Sequence, residues 1–262
     1  LNYVLSEKYM FSASMRADGS SRFADKYRYG YFPSFSAGWR LSQEAFMQNM
    51  NFMDNLKLRA SYGITGNNTI PDFAYLQLFQ SGSNYLSQGG ISPAQLPNDE
   101  LRWEQTAQTN VGVDFTFFRR FTGSFDYYVK NTTDLLLAAP VPTSSGFISI
   151  TQNIGEMRNV GWEAYLSAGI FESSDAFNWT VTFNITQNEN TIEKLVTGED
   201  MQAAGFDQSI IREGEALGSF YGYKVEGIFQ SQDKIDNAAF QSPETAPGDY
   251  QFQDTNEDDV IN

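Results

Sequence analysis

The stretch Leu56-Lys57-Leu58-Arg59-Ala60-Ser61-Tyr62-Gly63-Ile64 alternates apolar and polar side chains one by one. Successive side chains of an extended strand point to opposite faces of its sheet, so the pattern predicts a strand with one apolar and one polar face. A helix would repeat its apolar residues at intervals of about 3.6. The stretch therefore predicts a sheet that separates an apolar environment from an aqueous one.

The same alternation recurs along most of the chain. It is present in residues 9–16, 35–41, 111–117, 121–130, 162–170 and 177–186. These runs approach or reach the roughly ten residues that a tilted strand needs to cross a bilayer, whereas strands of soluble sheets usually have about five or six. The pattern favours an all-β fold, an antiparallel transmembrane β-barrel.

The connections between the runs differ in length. Short connections are expected at residues 6–8, 118–120 and 172–176, and long ones, rich in Gly, Ser, Asn, Asp and Pro, at 17–30, 65–101, 131–153 and 187–219. Transmembrane barrels have short periplasmic turns and long extracellular loops. One longer periplasmic connection, at residues 42–47, predicts a short helix capped by Ser42.

Composition excludes several classes of function. The 262 residues contain no His and no Cys, which removes Ser-His-Asp and Cys-His nucleophiles, thiolate redox pairs and ordinary zinc sites. The net charge of -15 argues against binding of nucleic acid, because phosphate recognition needs clustered Lys and Arg. No stretch approaches the roughly 20 apolar residues of a membrane-spanning helix. The chain is therefore expected to be either a barrel or soluble.

Two other classes of function stay open at this point. Alternation does not distinguish lipid from a facing sheet, so a soluble carbohydrate-binding β-sandwich is the alternative to a barrel. A glycoside hydrolase could use two of the many carboxylates, but no local sequence singles out such a pair. The sequence therefore favours a protein that is not an enzyme.

Several ordered blocks of the sequence are more specific than its periodicity. They are RADGSSRF at residues 16–23, GYFPSFSAGWRL at 30–41, LKLRASYGITGN at 56–67, LRWEQT at 101–106, TNVGVD at 109–114, DYYVKN at 126–131, GEMRNVGWE at 155–163 and GSFYGY at 218–223. The blocks resemble the barrel half of the SusC/RagA family of TonB-linked, TonB-dependent outer-membrane transporters. The resemblance extends over nearly the whole chain.

The resemblance implies a fold, a location and partners. Residues 1–262 are expected to form part of the barrel domain, with roughly eight or nine strands of a larger barrel of about 22 strands around a plug. Signal peptide, plug and remaining strands are expected outside this sequence, which then is an internal fragment. The implied function is TonB-dependent import of glycan oligosaccharides or peptides across the bacterial outer membrane. The implied partners are a SusD-like surface lipoprotein, the TonB complex, the lipid bilayer and the substrate.

Two groups of side chains are candidates for contact with the substrate. The aromatic residues Tyr75, Phe79, Tyr85 and Trp103, in or beside the longest loop, could stack on sugar rings or contact a lid protein, and the alternative is that they pack within the loop. The second group is charged and expected to face the lumen: Arg16, Arg40, Lys57, Arg59, Asp114, Asp126, Lys130 and Glu163. These charges could contact a plug or substrate, or pair across strands.

The acidic end of the sequence has the spacing of a calcium-binding loop. Asp254, Asn256 and Asp258 supply oxygen side chains at the first, third and fifth places. The resemblance implies a cleaner motif here, and Asp259 stands at the sixth place, where a calcium loop has Gly. Calcium binding is therefore one expectation and an acidic, solvated loop is the other.

Overall fold

A computed structural model describes residues 1–171, 177–196, 198–202 and 208–261. The chain divides into two compact units, one of Leu1–Met201 with Ile211–Leu217 and the other of Gln202–Ile210 with Gly218–Asn262. No helix in these ranges is long and apolar enough to span a membrane.

Strands dominate the secondary structure. The described residues contain β1 (Asn2–Leu5), β2 (Tyr9–Gly19), β3 (Tyr29–Arg40), β4 (Met53–Asn67), β5 (Phe79–Ser81), β6 (Ile91–Pro93), β7 (Glu104–Phe117), β8 (Phe121–Thr133), β9 (Leu136–Pro140), β10 (Ser149–Asn153), β11 (Gly155–Phe171), β12 (Trp179–Leu195), β13 (Met201–Gln202), β14 (Ser209–Ile211), β15 (Ser219–Phe220), β16 (Val225–Ile228) and β17 (Tyr250–Phe252). The helical elements are α1 (Gln232–Asp236) and short 3-10 turns at Asp25–Tyr27, Leu41–Gln43, Ala45–Met47 and Thr143–Ser145.

The first unit is built on one antiparallel sheet of eight strands. Their order is β1-β2-β3-β4-β7-β8-β11-β12. All but β1 contain 11 to 17 residues, so the long strands predicted from the sequence are confirmed. Among the described residues, β1 and β12 lie at the two edges and do not pair with each other, so the sheet is an open section of a barrel wall.

The strand register gathers the apolar side chains on one face, here called the apolar face. One row across the sheet consists of Phe11, Ala37, Ala60, Val111, Tyr127 and Trp162. Because the side-chain period of a strand is two residues, this register puts every alternating apolar position on the same side. The alternation in the sequence therefore corresponds to a single continuous surface.

The apolar face is largely exposed in the part of the chain that the structure describes. The rings of Phe11, Phe35 and Phe183 are 50%, 56% and 58% exposed, respectively. A soluble sandwich would bury such a face under a second sheet about 10 Å away. The alternative of a soluble carbohydrate-binding β-sandwich is therefore wrong for this part of the chain, and the uncovered face fits contact with lipid.

Two tight turns join neighbouring strands at one end of the sheet, here called the turn end. Ser6 and Glu7 connect β1 to β2, Phe118 and Arg119 connect β7 to β8, and all four residues have positive φ. Two successive residues with positive φ mark the type I′ hairpin turn, whose twist matches that of the flanking strands. These short turns were predicted correctly, whereas residues 172–176, the third predicted turn, lie outside the described residues.

The connection between β3 and β4 differs from its prediction. Instead of a helix capped by Ser42, the structure has two 3-10 turns, Leu41–Gln43 and Ala45–Met47, with extended Glu44 between them. No side chain caps either turn. The prediction of a capped helix was wrong because the Glu44 side chain bonds to neighbouring strands, which holds residue 44 in a non-helical conformation.

The long connections lie at the opposite end of the sheet, here called the loop end. Three of them comprise residues 20–28, 68–103 and 134–154, and each begins three residues later than predicted because the preceding strand continues into polar residues. Two of them contain small hairpins, β5 with β6 and β9 with β10. Of the fourth predicted connection, 187–219, residues 187–195 belong to β12, and residues 197 and 203–207 lie outside the described residues. In the second unit, β14 pairs with β15 and β16 with β17.

Candidate functional site

The face of the sheet opposite the apolar face is lined with polar side chains and is here called the polar face. One row across it consists of Ser12, Ser36, Ser61, Asn110, Tyr128, Gly161 and Asn188. In a transmembrane barrel the side chains opposite the lipid-facing ones line the interior. The polar face is therefore the surface that a solute inside the barrel would meet.

An ion cluster lies in the middle of the polar face. Arg59 on β4 donates two hydrogen bonds of 2.8 Å to the carboxylate of Asp114 on β7. Its Nη2 also donates a bond of 3.0 Å to Asp126 on β8. Because a guanidinium presents five donors in a planar fork, one arginine can bridge two carboxylates on different strands.

Gly112 makes this cluster possible. It is the residue opposite both Arg59 and Asp126 in the register. A Cβ atom at position 112 would lie 2.4 Å from Asp126 Oδ1 and 3.0 Å from Arg59 Nη2. The missing side chain therefore leaves the space in which the two charged groups meet.

Most of the other predicted wall charges also have partners. Arg16 Nε lies 2.8 Å from Asp18, and Lys57 Nζ lies 4.0 Å from Asp114. Lys130 Nζ sits 4.7 Å above the ring of Tyr128. Arg40 donates a 3.3 Å bond to the backbone oxygen of the neighbouring turn, and Glu163 lies opposite Asp126 in the register. Among these contacts, the one between Lys57 and Asp114 pairs opposite charges on two strands. Arg16 pairs with Asp18 on its own strand, and Glu163 faces a like charge. Pairing between strands therefore accounts for only some of the predicted wall charges.

At the loop end, side chains from different connections form a buried cluster, here called the loop core. Its buried members are Phe23, Phe32, Ile70, Ala74, Leu101 and Trp103. The Trp103 ring lies 5.3 Å from that of Phe23 and 5.5 Å from that of Phe32, and its Nε1 donates to the Arg28 carbonyl at 3.3 Å. Burial of these rings fixes connections 20–28 and 68–103 to each other and to β3 through the hydrophobic effect.

Charged contacts at the surface reinforce the loop core. Glu100 accepts hydrogen bonds from Lys26 Nζ and from Tyr27 Oη, the latter at 2.8 Å. Lys26 contributes most to holding the pKa of the Glu100 carboxyl below its usual range, and Tyr27 adds to the effect. Arg102 bonds to Asp134 at 2.7 Å, and that carboxylate raises the pKa of the guanidinium. These contacts join residues far apart in the sequence into one folded surface, here called the loop platform.

Asparagine side chains connect residues 134–154 to the same platform. Asn153 Nδ2 donates to the carbonyl oxygens of Arg102 at 2.9 Å and Asp134 at 2.8 Å. Its Oδ1 accepts from the Arg102 amide at 3.0 Å, and Asn98 Nδ2 donates to the Thr151 carbonyl at 2.9 Å. The loop platform is therefore held by both apolar burial and satisfied polar groups.

The structure separates the four aromatic residues proposed to contact substrate. Trp103 is only 7% exposed and belongs to the loop core, and Tyr75 is partly buried against it. Phe79 on β5 and Tyr85 in the loop after it are 58% and 77% exposed. The two exposed rings are the members of the set that offer surface to a ligand.

In the second unit, the acidic loop that begins at Asp254 is folded around that residue. Asp254 Oδ1 accepts from the amides of Asn256 at 3.3 Å and Glu257 at 2.8 Å, and Oδ2 accepts from the Asp259 amide at 2.8 Å. Asn256 Nδ2 donates to Asp258 at 3.0 Å. Within the described part of the chain, no group of three or more acidic side chains is arranged to hold a metal ion. Calcium binding stays a prediction.

Comparison with known proteins agrees with this geometry. The family described as TonB dependent receptor-like, beta-barrel, matches residues 1–253. The chain belongs to this family. The barrels of TonB-dependent receptors lie in the bacterial outer membrane, so the apolar face of this sheet is its lipid-facing side. The resemblance to SusC/RagA transporters noted from the sequence is confirmed.

This chain is much shorter than the individual TonB-dependent receptors to which it is similar. It is 44% identical over 231 residues to the TonB-dependent receptor P39 of Formosa agariphila, covering 88% of this chain and 22% of that protein. It is 40% identical over 209 residues to the TonB-dependent receptor SusC of Bacteroides thetaiotaomicron, covering 76% and 21%. The chain therefore spans about a fifth of the length of these curated relatives.

A solved peptide transporter has the same fold. The structure of the RagAB peptide transporter superposes on this chain with a TM-score of 0.80 at 31% identity, covering 87% of this chain and 25% of the matched chain. The predicted β-barrel wall is confirmed by this superposition. The family assignment thus has support from sequence and from structure.

Several residues that build the loop end of this TonB-dependent receptor barrel were missed in the sequence. They include Lys26, Tyr27, Glu100, Asp134 and Asn153. Lys26 and Glu100 are 74 positions apart, so no local spacing connects them. A weak signal was present in Asn98 and Asp99, because Asn and Asp favour turns in which their side chains bond to the backbone, as Asn98 does to the Glu100 amide.

Proposed function

We propose that this chain forms part of the barrel wall and the extracellular loops of a TonB-dependent importer of large nutrients. The observation that carries the proposal is the division of one sheet into an uncovered apolar face and an ion-paired polar face. Such a wall suits a protein with lipid on one side and water on the other. All of residues 1–262 are assigned to the barrel domain, and the transport belongs to the whole protein.

The proposed substrates are glycan oligosaccharides or peptides. The relative SusC and the RagAB peptide transporter support this class of substrate. Phe79 and Tyr85 are the proposed contacts for it, because their rings are exposed at the loop end. A flat aromatic ring can stack on the apolar face of a sugar or pack against a side chain of a peptide.

The proposed partners are a SusD-like surface lipoprotein and the TonB complex. The loop platform supports the first proposal, since its packed surface at the loop end could receive a lid protein. The TonB complex would act through parts of the protein outside this chain. We propose that the protein is a transporter and not an enzyme, because members of the TonB-dependent receptor family are transporters.

The experiment that tests the proposal is growth and uptake in a strain that lacks the whole gene. The strain is grown on a panel of glycans and peptides, each as the sole source of carbon, and uptake of labelled substrate is then measured. We expect loss of growth on at least one substrate, and its return with the wild-type gene. Unchanged growth on the whole panel, or uptake that persists without TonB, would overturn the proposal.

A further inference from the structure

The connection of residues 41–52, here called the rim segment, is attached to the apolar face at its first end. The carboxylate of Glu44 accepts hydrogen bonds from Tyr9 Oη at 2.7 Å, Trp39 Nε1 at 3.0 Å and Lys8 Nζ at 3.1 Å. Tyr9 and Trp39 are opposite each other in the register of the apolar face, and their rings stack at 6.3 Å. The rim segment therefore begins on the lipid-facing side of the wall.

The second end of the rim segment is attached to the same face. The Phe52 ring lies 6.4 Å from that of Phe117 and 5.9 Å from that of Phe118. The Phe118 amide donates to the Phe52 carbonyl at 2.8 Å. Phe117 stacks on Phe115 at 5.1 Å, and both belong to the apolar face. The rim segment therefore also ends on the lipid-facing side.

The residues between these two attachments are either apolar or polar without charge. The sequence Ala45-Phe46-Met47-Gln48-Asn49-Met50-Asn51-Phe52-Met53 contains no charged side chain. Phe46 is 64% exposed, and Met50 and Phe52 are 41% and 44% exposed. The amide side chains Gln48, Asn49 and Asn51 are exposed beside them. A connection that faced bulk water on all sides would be expected to expose charged groups as well and fewer large apolar ones. Aromatic rings next to amide side chains suit the boundary between lipid headgroups and acyl chains.

We propose that the rim segment is a membrane-interface anchor, with Phe46, Met50 and Phe52 inserted into the headgroup boundary of the leaflet at the turn end. Its occupant is the phospholipid bilayer, because the anchor is continuous with a face that already contacts lipid. Glu44 acts as the positioning residue, since its bonds to Tyr9 and Trp39 hold the chain on that side. The barrel is thereby fixed at one depth by a connection as well as by its strands.

The test measures the depth of position 46 in the whole transporter. Native cysteines are replaced, a single cysteine with a nitroxide label is introduced as Phe46→Cys, and the protein is reconstituted in phosphatidylethanolamine and phosphatidylglycerol vesicles. Collision of the label with oxygen and with a water-soluble nickel chelate is then compared by electron paramagnetic resonance. Phe35→Cys, in the middle of the apolar face, and Leu86→Cys, 79% exposed at the loop end, are the reference positions.

If the proposal is right, the label at position 46 should collide more often with oxygen than with the nickel chelate. The ratio of the two collision rates should lie between the ratios at positions 35 and 86. The same ordering is expected for Met50→Cys. Nickel accessibility equal to that of position 86 would mean that the segment lies in water and would overturn the proposal. Low accessibility to both reagents would mean burial against protein, which would overturn it as well. Because the Phe46 ring is exposed, its replacement is not expected to prevent folding.

Discussion

Arg59 and Asp126 form an ion pair of 3.0 Å although a complete strand, β7, lies between the two strands that carry them. The two side chains meet above Gly112, where a Cβ atom would lie 2.4 Å from Asp126 Oδ1. The guanidinium of Arg59 thus connects three strands on the polar face. It can do so because residue 112 is a glycine.

Substitution Gly112→Ala is expected to break the bond between Arg59 and Asp126 and to leave the bond between Arg59 and Asp114. Because the ion pair is partly exposed to water, its loss should lower the free energy of unfolding by about 1 kcal/mol or less. The measurement is the temperature at which the folded band of the whole transporter disappears on an SDS gel. Gly38→Ala is the matched control, since its Cβ would meet only flexible chain ends at 3.2 and 3.3 Å. Equal shifts in both variants would contradict the role of Gly112.

Substitution Trp103→Ala is expected to weaken the loop core. Removal of a buried tryptophan typically costs about 3–5 kcal/mol, and here it also removes ring contacts with Phe23 and Phe32. Limited proteolysis of the whole transporter should show faster cleavage in residues 68–103, while the strands stay protected. The exposed Tyr85→Ala should leave the cleavage rate unchanged. If Trp103→Ala were cleaved at the wild-type rate, the loop core would not hold the loop platform together.

Substitutions Phe79→Ala and Tyr85→Ala are expected to weaken substrate binding without loss of stability. One aromatic contact is worth about 0.5–1.5 kcal/mol, so each variant should raise Kd by roughly 2-fold to 13-fold. Isothermal titration with a substrate identified by the growth panel would measure this change. Ile148→Ala, at another exposed loop position, is the control. A Kd that changes in the control and not in the aromatic variants would remove these two rings from the proposed site.

The contribution of Glu44 to stability should depend on pH in a defined direction. Hydrogen bonds from Trp39, Tyr9 and Lys8 lower the pKa of this carboxyl from 4.5 to about 2. The pKa of Glu44 is lower in the folded state than in the unfolded state. The ionised carboxylate therefore stabilises the fold fully above pH 4.5, and this stabilisation is lost as the pH falls toward about 2. The difference in unfolding temperature between wild type and Glu44→Gln should be constant above pH 4.5 and should become smaller below that pH.

The control for this titration is Glu7→Gln, which removes a charge at the same end of the sheet and leaves the three donors of Glu44 untouched. Comparison of the two variants separates the loss of a negative charge at this end of the sheet from the loss of the hydrogen bonds to Glu44. If the difference in unfolding temperature between wild type and Glu44→Gln stayed constant down to about pH 2, the hydrogen bonds of the carboxylate would not stabilise the folded state.

The sequence predicted the sheet well because its faces alternate in polarity. The ends of the strands were less clear, since β12 continues to Leu195 through polar residues such as Asn188 and Asn190 that still pair with β11. Pairing of backbone groups does not require apolar side chains, so a polar stretch at the rim of a barrel carries no periodic signal.

The loop core and the rim segment could not be predicted for a different reason. Phe23, Ile70 and Leu101 are single apolar residues in polar surroundings, and only the folded chain brings them together. Glu44 resembled part of a helix start in the sequence, whereas its actual partners are on two strands. Contacts over long sequence separations leave no local pattern.

The loop core also has a consequence for the order in which the protein folds. Phe23 and Trp103 are far apart in the chain, and they can meet only after β2, β3, β4 and β7 have found their register. Closing such distant contacts early would cost much chain entropy, so they should form late. The wall would then assemble before the loop platform, and a protein arrested in biogenesis would have paired wall strands with unfolded connections at the loop end.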